Sequence, residues 1–103
     1  MKTKKTMKIE LKNALIAAGI PAASIHEDTE PINRGSAMWV IDEDIWAEVW
    51  QYKGRTVGAV NCWYTEFEGE NILCKDMPTV VAEVLQAQRR IQNERQGQKC
   101  TIH

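Results

Sequence analysis

The sequence predicts an α+β fold: a three- to four-stranded antiparallel sheet with an N-terminal and a C-terminal helix packed on one face, in α-β-β-β-α order. Three observations predict it. Apolar residues recur at three- and four-residue steps near both ends of the chain. Between those ends, aromatic and β-branched residues alternate with polar ones at a period of two. Short clusters of acidic residues, glycine and asparagine punctuate that middle stretch as turns do. The 103 residues correspond to a single domain, 1–103, which is long enough to own one hydrophobic core.

Residues 1–6 lack an apolar anchor and read as a flexible basic tail. Met7, Leu11, Leu15 and Ala18 then trace one face of a three-turn helix, with Lys8 and Lys12 between them. Gly19 is placed to stop that helix and Pro21 blocks its continuation. Ala22–His26 fits either a helical turn or a short strand, because the stretch is too brief to show a period. Glu27–Ser36 is rich in turn formers and reads as a loop.

Ala37–Ile41 reads as a short strand, and Asp42-Glu43-Asp44 as a polar turn. In Ile45–Tyr52 the residues Ile45, Ala47, Val49 and Gln51 share one side, and Trp46, Glu48, Trp50 and Tyr52 the other. Lys53-Gly54 fits a two-residue hairpin turn, followed by a long strand over Arg55–Phe67. Glu68-Gly69-Glu70-Asn71 is a further turn, and Ile72-Leu73-Cys74 an optional edge strand. The last helix has Asp76 as its cap and Pro78 in its first turn, where the missing N–H costs nothing. Its stripe is Met77, Val80, Val81, Val84, Leu85, Gln88 and Ile91, with Gly97 as its expected end and 98–103 as a flexible tail.

Composition narrows the function classes. The apolar runs Ala14–Ala18 and Met38–Ile41 are far below the ~20 residues that cross a bilayer, so no membrane association is expected. No apolar leader follows the basic N-terminus, and the three cysteines cannot all pair within one chain; both point to a cytoplasmic protein. A net charge of −1 argues against a nucleic-acid binder that works by bulk charge.

Charge is nevertheless uneven. Met38 to Asn71 holds seven acidic residues (Asp42, Glu43, Asp44, Glu48, Glu66, Glu68, Glu70) against Lys53 and Arg55, a local balance of −5. Lys2, Lys4, Lys5 and Lys8 at one end, and Arg89, Arg90, Arg95 and Lys99 at the other, compensate it. The four tryptophans (Trp39, Trp46, Trp50, Trp63) all lie in the strand region. Either Trp46, Trp50 and Tyr52 form an outward patch, as Glu48 in their row suggests, or they form the core, as their large area suggests. Acidic turns are usually only solvated, but beside an aromatic patch they make a surface suited to a basic partner.

Other chemistries find weaker signals. Cys100 and His103 have ligand-like spacing, yet Cys62 and Cys74 lie too far apart in sequence to complete an ordinary zinc site; neither metal nor any other cofactor is expected. His26-Glu27-Asp28 resembles a base with an orienting acid, but no catalytic motif accompanies it, so no enzyme is expected. The α-β-β-β-α order is similar to that of double-stranded-RNA-binding domains. Those domains carry a lysine cluster at the start of the last helix, where this chain reads Cys74-Lys75-Asp76-Met77-Pro78-Thr79, so the resemblance implies topology only.

The function read from the residues is a non-enzymatic protein-binding module. In this reading Trp46, Glu48, Trp50 and Tyr52, with the acidic turns, occlude a basic surface of a larger protein. Small size and lopsided charge match the character of phage-type inhibitors of host defence or nucleic-acid-processing proteins, including those acting against CRISPR nucleases. The alternative is a small nucleic-acid-associated regulator using the basic N-terminal segment and the late arginines. A homodimer that buries the tryptophan face against itself is the third reading.

Overall fold

The computed structural model describes residues 2–41, 44–63 and 70–100, with the backbone alone described at 70 and 96–100. The elements are α1 (Lys4–Ala17), β1 (Ile25–Asp28), β2 (Ser36–Val40), β3 (Ile45–Tyr52), β4 (Arg55–Cys62), β5 (Glu70–Cys74) and α2 (Met77–Cys100). A short 3-10 turn, Ala22–Ser24, leads into β1. The strands form one five-stranded antiparallel sheet in sequence order, β1-β2-β3-β4-β5.

The α+β class and the meander are therefore as expected, but the sheet has five strands rather than three or four. The additional strand, β1, occupies residues read as ambiguous or as loop. Its four residues are too few to show a period, and pairing decides its conformation: Ile25 lies opposite Val40 and Asp28 opposite Ala37. Both helices are longer than expected. α1 starts at Lys4, inside the supposed tail, because Thr3 caps it by accepting from the Thr6 N–H at 3.2 Å. The Ser36 hydroxyl also donates to the Lys4 carbonyl at 2.6 Å, tying the first turn to β2. α2 continues through Gly97 to Cys100. A glycine costs a helix only about 1 kcal/mol relative to alanine, so alone it does not enforce a stop. β4 ends at Cys62 rather than Phe67, and residues 64–69 lie outside the described residues.

Alternation in β3 sorts the interior into two clusters. Ile45, Ala47 and Val49 join Met7, Leu11 and Leu15 of α1 and Val80, Val84, Ala87 and Ile91 of α2 in the main core. Trp46 belongs to a separate cluster with Ala37 of β2 and Ala59 of β4, against which Trp39 and Trp50 pack. The expected Lys53-Gly54 turn forms, with φ of 51° and 79°. Positive φ at both central residues is what a tight hairpin matched to strand twist requires.

Candidate functional site

The tryptophan side of β3 carries the site predicted from sequence, and the structure divides it in two. Register aligns Ala37, Glu48, Ala59 and Leu73 across four strands, and Trp39, Trp46, Asn61 and Asn71 in the neighbouring row. Flanked by two alanines, Glu48 sits in a trough between its larger neighbours. The segment from Pro31 to Gly35 closes over it.

Glu48 is fully buried, contrary to the expectation that it draws its row out to solvent. Its carboxylate accepts from the backbone N–H of Ile32 at 2.9 Å, Asn33 at 3.0 and 2.9 Å, and Gly35 at 2.9 Å. These donors compensate the desolvation of the charge, as peptide N–H groups converging on an anion do. Gly35 is required where it stands, because a Cβ there would lie 2.0 Å from the Val49 carbonyl oxygen. Trp46 is also buried, at 4% exposure, and its indole Nε1 donates to Asp28 at 2.9 Å. Glu48 and Trp46 thus hold the loop and β1 onto the sheet and present no surface to a partner.

Trp50 and Tyr52 fare differently. Trp50 is half-buried and Tyr52 is 57% exposed. With Val57, Leu73 and Lys75 they line an open groove of about 470 Å³. Leu73, 74% exposed, is the residue sequence reasoning missed. Its signal was present in the alternation of β5, which sets it opposite in sense to the buried Cys74.

Among the described residues, no acidic side chain lines this groove. Asp44 lies in the turn before β3 and pairs with Arg95 of α2 at 3.2 Å, and Glu70 opens β5 with its side chain undescribed. Asp42, Glu43, Glu66 and Glu68 lie outside the described residues. Beside the groove stand cations: Lys75 in its lining, Lys53 with its ammonium 5.4 Å from the Tyr52 ring centre, and Arg55 across from Tyr52. An acidic/aromatic face is therefore not what the described residues form. Compared with known proteins, the chain matches no family model, no curated protein and no solved structure.

The remaining candidates separate in space. His26 is exposed on β1, while Glu27 is tied to Lys8 at 3.2 Å and Asp28 to Trp46. Among the described residues no hydrogen bond joins His26 to either carboxylate. Cys62 and Cys74 are both buried. Burial, reinforced by the charges of Glu83 and Asp76, pushes the Cys74 thiol up to about 11, which keeps it protonated and poorly nucleophilic at neutral pH. Among the described residues no group of three potential ligands is placed to hold a metal ion, and no helix is long and apolar enough to cross a membrane.

Proposed function

We propose that this chain is a non-enzymatic protein-binding module that receives its partner in the groove formed by Trp50, Tyr52, Val57 and Leu73. The observation that carries the reading is Leu73, 74% exposed, beside a 57% exposed Tyr52 and a half-buried Trp50. Aromatic anchors beside exposed aliphatic surface are the composition of interface hot spots. The reading places both helices on the opposite face of the sheet, which is supported by the single core shared by α1, α2 and Ile45, Ala47 and Val49. Lys53, Arg55 and Lys75 make an acidic rim on the partner the better complement, a reversal of the basic partner expected from sequence. Occlusion of a partner's working surface by this face is how a phage-type inhibitor of a defence nuclease would act.

The nucleic-acid alternative finds less support. Lys2, Lys8 and Arg95, three of the cations it needs, are paired to Glu10, Glu27 and Asp44.

Affinity capture from nuclease-treated host lysate, with Leu73→Asp and Ile32→Asp variants alongside the wild type, tests the reading. Ile32 is also 74% exposed but lies outside the groove. A stoichiometric protein partner retained by wild type and Ile32→Asp but lost with Leu73→Asp is expected. Equal retention by Leu73→Asp, or recovery of only a homodimer, would overturn it.

A further inference from the structure

The sheet has a second unguarded feature, at its other edge. Among the described residues β1 pairs only with β2, so the backbone N–H and C=O groups of alternate residues point away from the sheet with no described strand to receive them. Beside it runs a groove of about 640 Å³ with Lys4, Lys5 and Lys8 of α1 on one wall and Glu27 and Asp28 of β1 on the other. The groove continues, through Lys8, Ile9 and Glu27, into a hollow of about 290 Å³ that Lys12, Ile25 and Met38 also line.

We propose that this seam between α1 and β1 docks an extended acidic peptide segment, which adds to the sheet as a strand along β1. Strand addition at an open edge draws affinity from main-chain hydrogen bonds and specificity from alternate side chains. Here the alternate side chains facing α1 meet ammonium groups and an apolar floor. Lys8 is already bridged to Glu27, but among the described residues Lys4, Lys5 and Lys12 have no acidic partner. Unpaired cations on the helix wall favour carboxylates at alternate positions, and Ile25, Met38 and Ile9 favour an aliphatic residue between them. A phosphodiester backbone suits the seam less well, because it has no N–H to give the strand edge. The site is independent of the Trp50–Leu73 groove, so either can fail alone.

The test is fluorescence polarisation with a labelled octapeptide alternating glutamate and valine, against the full chain. Saturable binding is expected, weakened at least tenfold by the exposed-site double variant Lys5→Glu/Lys12→Glu. N-methylation of alternate peptide amides should abolish binding in one phase and spare it in the other, as edge pairing demands. Circular dichroism of the double variant separates lost binding from lost fold, and raised salt on the wild type weakens a charge-selected site without altering the sequence. Equal affinity for an octapeptide alternating lysine and valine, indifference to both N-methylation phases, no binding at millimolar peptide, or displacement by an oligothymidylate would overturn the proposal.

Discussion

Glu48 illustrates how a single side chain can invert the meaning of its neighbours. A carboxylate in the middle of a strand normally marks a solvated face, but here three peptide N–H groups replace water. Removing it leaves the buried Gly35 N–H unpaired, at a cost of roughly 1–3 kcal/mol, and frees the part-buried N–H groups of Ile32 and Asn33. Glu48→Ala is therefore expected to destabilise the fold by roughly 1–3 kcal/mol in denaturant titration and to accelerate hydrogen exchange at Ile32, Asn33 and Gly35. A midpoint unchanged from wild type would show the loop to be held by something else. The two central tryptophans should separate in the same assay. Trp46→Ala, at 4% exposure, is expected to cost about 3–5 kcal/mol, and the half-buried Trp50→Ala distinctly less. At Cys74, the thiol raised to about 11 implies that iodoacetamide at pH 8 labels this residue only after unfolding, as peptide mass mapping would show.

At the scale of elements, the ends and turns carry the testable chemistry. Asp76 caps α2 by accepting from the Thr79 N–H at 2.9 Å and from the Thr79 hydroxyl, and the Thr79 hydroxyl contact is the larger cause holding its carboxyl below the usual range. A depressed folded-state pKa contributes stability that is complete at neutral pH and lost as pH falls through the carboxylate range. The melting-temperature gap between wild type and Asp76→Asn should thus narrow as pH is lowered through and below the usual carboxylate range; a gap unchanged between pH 7 and pH 2 would assign the cap another origin. In the β3–β4 hairpin, Gly54 has φ of 79° with open space around it, so Gly54→Ala meets conformational strain alone. The expected loss is about 1–2 kcal/mol, read by thermal melting. That hairpin was legible from Lys53-Gly54 because turn chemistry is local. β1 was not, because only β2 makes Ile25–Asp28 a strand.

At the scale of the molecule, charge and apolar surface are arranged by topology rather than by sequence proximity. The β2–β3 turn and the start of β5 lie at one end of the strands, and Lys53, Arg55 and Lys75 at the other. Among the described residues, the acidic members of the run from 38 to 71 therefore do not line the aromatic groove, although the two are interleaved in sequence. Charge reversal at Lys53 and Lys75 should consequently slow association with an acidic-rimmed partner more than it speeds dissociation. Equal rates for the variant and wild type would remove charge from the recognition.

The sequence by itself determined the α+β class, the two amphipathic helices, the central hairpin, the cap of α2 and the two alternating faces of β3. Each depends on residues a few positions apart, so period and turn chemistry carry it. Only the tertiary structure decided which members of the tryptophan row are exposed. That choice depends on Pro31–Gly35 folding across β3, a contact between residues 13 to 16 apart that is made through one buried carboxylate. It also decided that Leu73 joins Trp50 and Tyr52, since cross-strand register brings together side chains that no local period relates.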